Sequence, residues 1–167
     1  VERPNEDFGQ TMMRQFLFDA YHIELLEQLV TSNDKRISAI SAKALKEVKY
    51  HVERSAGTVI ALGDGSEESH NRLQAALDDQ WTFAGELFET DTGDHALHAA
   101  GIAPLPSALR AGFDARAKAV LDEATLMIPE TTFAHSGGRS GKRHSEHLGH
   151  LLTQMQWLQR AYPGATW

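Results

Sequence analysis

With 167 residues, 41% hydrophobic and 23% charged, the chain is long enough for one domain with a real core and has the make-up of a water-soluble globular protein. It has no cysteine, which excludes disulfides, thiolate metal sites and cysteine nucleophiles and fits a cytoplasmic home. It has no run long and apolar enough for a bilayer and no signal peptide, and its net charge of −7 argues against nucleic acid as a main partner.

Helical periodicity dominates, and no segment alternates as a strand does. The first pattern runs from about Gln10 to Ser32. The second runs from Lys35 to Leu62 and stops at Gly63-Asp64-Gly65. Ser66 is a good N-cap for a third, which reaches about Phe88. The short segment DHALHAAGI precedes Pro104-Leu105-Pro106, and a further helix starts at Ser107 and lasts to about Thr125. An irregular, glycine-rich stretch follows from Ile128 to Arg143, and a last helix spans about Ser145 to Ala161, before Pro163-Gly164. Short connections make the first three helices antiparallel neighbours in one all-α bundle, a single domain over 1–167. The chain opens on Val1 and enters a helical pattern seven residues later, which points to a fragment.

Charge is uneven. From His135 onward four cations (Arg139, Lys142, Arg143, Arg160) face one acid, Glu146, so that tail carries +3 and the rest −10 of the −7 total. An acidic body with a basic end suits oriented docking or an anionic ligand. The stretch SGGRSGKR resembles a phosphate loop but fails its pattern: Ser136 stands at the first required glycine, Arg143 follows Lys142, and no strand precedes it. A flexible basic loop could still meet a phosphate-bearing cofactor tail or an acidic partner through Arg139, Lys142 and Arg143.

The polar residues on apolar arcs carry the sharper question. At about 100° per residue, Met12, Phe16, Ile23, Leu26, Leu29 and Val30 define an arc of the first helix, with Asp19 and His22 inside it. In the second, Ile37, Ile40, Ala44, Val48, Val52, Val59 and Leu62 define the arc, with His51 inside, Glu47 on its edge and Tyr50 turned away. Glu47 and His51 are four apart, about 40° around a helix, so both can reach one point. Burying these groups unpaired would cost several kcal/mol, so they satisfy each other, a water or a metal. A hydrogen-bonded network of Asp19, His22, Glu47 and His51 and a metal site both remain open. A complete di-iron bundle site needs four carboxylates and two Glu-x-x-His pairs over four helices. Glu67-x-x-His70 has that spacing, but Glu67 points off the apolar face. Of His144, His147 and His150, only His144 lines up with Leu148, Leu151, Leu152 and Met155, so a solvated or partner-facing cluster is expected. Trp81, Phe83 and Phe88 read as core.

The segments ERPNEDFGQTMMRQFLFDAYHIELLEQL, ISAKALKEVKYHVERSAG, LGDGSEESH and HSEHLGHLLTQMQWLQRAYPGATW resemble the C-type (PaaC-type) subunits of phenylacetyl-CoA 1,2-epoxidases, the ring-oxygenating enzymes of bacterial phenylacetate degradation. The resemblance covers essentially the whole chain. It implies a ferritin-like helical bundle and membership of a multicomponent oxygenase. In such a system the di-iron site lies in a related A-type subunit, a reductase supplies electrons from NADPH, and a small B-type subunit takes part. The C-type subunit is the structural, non-catalytic partner, with iron in the A-type subunit and no cofactor of its own. Family members also carry further helices upstream, about the first third of their length, so the bundle here is expected to be partial, with uncovered apolar arcs and self-association. On this likeness Asp19 and Glu47 stand where a di-iron protein places carboxylates, and Glu47-x-x-Tyr50 replaces Glu-x-x-His, a vestigial polar core. A di-iron oxygenase or ferroxidase in its own right is the alternative, as is a generic helical interaction module.

Overall fold

The computed structural model describes residues 2–131 and 133–166, and these form helices and loops with no strand. Seven α-helices follow in order: α1 (Phe8–Leu29), α2 (Lys35–Gly63), α3 (Glu67–Ala84), α4 (Thr92–Ala99), α5 (Arg110–Glu123), α6 (His147–Met155) and α7 (Trp157–Ala161). Short 3₁₀ turns at Gly85–Phe88 and Pro106–Leu109 extend α3 and lead into α5. The fold is the all-α bundle that the helical patterns lead one to expect, consistent with the ferritin-like bundle that the resemblance implies.

Local chemistry sets the helix starts. Asp7 accepts from Gln10 N at 2.8 Å, Asp34 from Arg36 N and Ile37 N, and Ser66 from Ser69 N. Each satisfies amides that the first turn leaves without a helical acceptor. Asp91 and Asp94 cap α4 reciprocally, each side chain accepting from the other's amide at 2.9 Å. Helix α5 ends at Ala124, where Thr125 takes a left-handed φ of 59° and Leu126 N returns to Leu121 O.

Helices α1, α2 and α3 pack on one another, and α5 closes against α1 and α2. The main core gathers Met13, Phe16, Leu17, Val59, Leu73, Leu77, Phe113 and Leu121, each buried. A smaller cluster of Ile23, Leu26, Val48 and Val52 sits toward the α1–α2 turn. The buried stripe of α2 contains Ser41, Ser55 and Gly63 beside its valines. These small residues let the backbones approach closely. At Gly63 a Cβ would collide with the Ala124 carbonyl, so glycine is required where α2 meets the end of α5.

Three expectations shift. The last helix is broken at Gln156, and none of the residues of α6 or α7 is buried. Phe83 is not core like Phe88: it leaves the interior to stack on His135, with ring centroids 3.9 Å apart and planes 6° apart. Ile40, expected on the inner arc of α2, is 67% exposed.

Candidate functional site

The polar groups of α1 and α2 meet along one edge of the helix pair. Asp19 is buried, with 1% exposure. Its Oδ2 accepts from Ser55 Oγ at 2.8 Å and its Oδ1 from Gln15 Nε2 at 2.7 Å. Both carboxylate oxygens are thus engaged by neutral donors of the chain. His22 is half-buried, one turn along, with its ring 5.3 Å from that of Phe18. Burial holds the His22 imidazole below its ordinary value of 6.5; the Asp19 charge pulls it up and nearby His51 pushes it down. His22 therefore feels both Asp19 and His51.

The remaining members lie elsewhere than the network requires. Glu47 and His51 are exposed, and neither forms a side-chain hydrogen bond among the described residues. The reason is helical phase. The buried face of α2 is centred on Ser41, Val48, Val52, Ser55 and Val59, which is rotated by about 40° from the arc drawn through the large apolar residues. That rotation moves His51 to the rim and Glu47 beyond it. Tyr50 points away, as its position implies, and is 63% exposed. Among the described residues, no three His, Asp or Glu side chains converge to hold a metal ion. Gln15 and Ser55 are the partners that sequence reasoning missed. Their signals are present but common: a glutamine one turn before Asp19, and a serine in register with the valine stripe.

The basic loop is an ordered strap rather than a free one. Gly137 N donates to Glu89 at 3.4 Å and Gly138 N to Glu86 at 3.0 Å. Arg139 forms a two-pronged ion pair with Asp94, both bonds 2.7 Å, and donates to the Glu89 carbonyl. The Arg139 guanidinium holds the Asp94 carboxyl down at about 2. At the far end Ser145 donates to Glu2 through N and Oγ, at 2.7 and 2.9 Å, and His144 Nδ1 meets the other oxygen of Glu2. Burial alone would raise the Glu2 carboxyl, but these bonds win and hold it below its usual value. The anion-binding groups of the loop are largely satisfied by the chain's own acids. Of the three cations singled out, Arg139 is consumed internally. Lys142 and Arg143 are exposed, and their side chains have no hydrogen-bonding partner among the described residues. His70 Nδ1 lies 2.8 Å from Gly63 O, a helix-end contact, and Glu67 is exposed.

With the geometry in place, similarity to known proteins becomes informative. The family model described as phenylacetic acid catabolic protein matches residues 1–167. The chain belongs to the phenylacetic acid catabolic protein family. It is 44% identical to the C-type subunit of the 1,2-phenylacetyl-CoA epoxidase of Escherichia coli (strain K12), over all 167 residues and 67% of that protein's length. The segments that carried the resemblance span the chain from α1 to the C-terminal arm, as the family match does. The chain is thus a C-type member of the phenylacetic acid catabolic protein family.

Proposed function

We propose that the chain is the structural, non-catalytic subunit of a multicomponent phenylacetyl-CoA ring 1,2-epoxidase in aerobic phenylacetate catabolism. Its role is to hold a di-iron A-type subunit in the assembly, alongside a small B-type subunit and an NADPH-dependent reductase, in the cytoplasm. One observation carries the reading. Asp19, the buried carboxylate where a di-iron protein would place a ligand, spends both oxygens on Ser55 and Gln15. Coordination there would strip the buried Ser55 hydroxyl and the Gln15 amide of their acceptor, and Glu47 and His51 lie exposed at and beyond the rim instead of supplying replacements. The family membership and the relative's designation as a subunit support the assembly role.

The surface offers docking groups. Leu151, Leu152, Met155 and Leu158 form a stripe along α6 and α7, each at least 37% exposed. Lys142 and Arg143 are exposed cations without an internal acid partner among the described residues.

Co-expression with an A-type subunit tests this reading. The two chains should co-purify, and ring epoxidation should need both. Replacing Arg139, Lys142 and Arg143 by alanine should weaken association or coenzyme A-ester affinity by about tenfold. Full epoxidation by the A-type subunit alone, or unchanged association and affinity in the triple variant, would contradict it.

A further inference from the structure

A cavity of ≈ 600 Å³ lies between the N-terminal segment, α1, the end of α3 and the strap. That is the size of a small-molecule site. Its floor is apolar: Leu17 and Phe18 from α1, with Ala84 and Leu87 from the end of α3 and its 3₁₀ turn. One wall is the Phe83–His135 stack, fixed by His135 N donating to Thr82 O at 2.8 Å. Neither the core polar group Asp19 nor the rim pair Glu47 and His51 lines it.

The charges around the cavity are unequal in their commitments. Its two carboxylates are engaged: Glu2 by Ser145 and His144, and Glu86 by the Gly138 amide. Two of its arginines are engaged as well, Arg3 with Asp79 and Arg139 with Asp94. The other two are not paired with an acid. Arg14 donates only to neutral acceptors, the Arg3 carbonyl and the Asn5 side chain. Arg143 has no side-chain partner among the described residues. A guanidinium fork reads a planar carboxylate through two parallel bonds, and the apolar floor offers nothing to a polar body.

We infer that this cavity is a binding site for a small carboxylate with an apolar body, an arylalkyl or alkyl acid, whose head meets Arg14 and Arg143 and whose tail rests on Leu17, Phe18, Ala84 and Leu87. The inference does not depend on the assembly role, because it concerns the chain without any partner subunit.

Calorimetric titration of the full-length chain with 3-phenylpropionate, against the neutral 3-phenylpropan-1-ol, tests it. One acid binds per chain, and the alcohol binds about tenfold more weakly, the factor lost with one charge-assisted contact. Arg143→Ala weakens the acid about tenfold and leaves the alcohol unchanged. Ser136→Trp, a bulky ring placed on the exposed strap at the cavity mouth, abolishes binding of both while the thermal melt stays the same. Absence of saturable binding to about 10 mM overturns the inference. So does equal affinity for acid and alcohol, or binding that survives both substitutions unchanged.

Discussion

Asp19 shows how a buried carboxylate is stabilised without a cation. Removing it leaves Ser55 Oγ and Gln15 Nε2 without their acceptor, so Asp19→Ala should destabilise the fold by about 1–3 kcal/mol in urea titrations, and Ser55→Ala by about 1 kcal/mol. A neutral result for Asp19→Ala would mean that water replaces the carboxylate at no cost. His22 makes a separate prediction through pH. Burial depresses its folded-state value below 6.5, so the unfolded chain binds the proton more readily. Its contribution is complete above the ordinary imidazole value and is lost as pH falls below it. Stability should therefore decline on acidification from pH 6.5, and His22→Gln should flatten that limb. An identical pH profile in the variant would assign the decline to another group. The burial of Asp19 was legible in the sequence; its partners were not. Gln15 and Ser55 do not differ from surface glutamines and serines until the helices are docked.

At the scale of elements, the one cap read from the sequence, Ser66, marked its helix start, because a cap is a local bond between residues two or three apart. Ser66 behaves as its position implies, and Asp7 and Asp34 do the same work for α1 and α2. The break at Gln156 was not legible. The apolar period continues through it, but no residue of α6 or α7 is buried, so no core contact holds them in one line. The phase of α2 failed for a different reason. Large apolar residues draw the eye on a helical wheel, whereas close helix contacts select small ones, here Ser41, Ser55 and Gly63. Gly63→Ala should accordingly force α2 and α5 apart and destabilise by about 1–3 kcal/mol, and a neutral Tm shift would refute that close approach. The strap makes its own prediction. Asp94 is held at about 2, well below its ordinary 3.8, so the tie to Arg139 is fully formed above the ordinary value and is lost as pH falls through about 2. Asp94→Asn should free the strap at neutral pH, seen as faster proteolysis after Lys142 and Arg143. Unchanged cleavage would place the holding force in the Gly137, Gly138 and Ser145 bonds instead.

For the whole molecule, long helical periods and short connections were enough to give an all-α bundle, since both are properties of the chain alone. The distribution of polar groups over that bundle depends on how the helices rotate against one another, and only the fold supplies that rotation. It separates one buried, satisfied carboxylate, Asp19, from the rim residues Glu47 and His51. The central claim is that this arrangement is a metal-free core in a protein serving an iron-bearing partner. The measurement that tests it most directly is the iron and zinc content of the full-length chain, purified from iron-supplemented cells. The account predicts far less than one metal ion per chain. About two irons per chain, the complement of a di-iron bundle, would contradict it and make this chain the catalytic one.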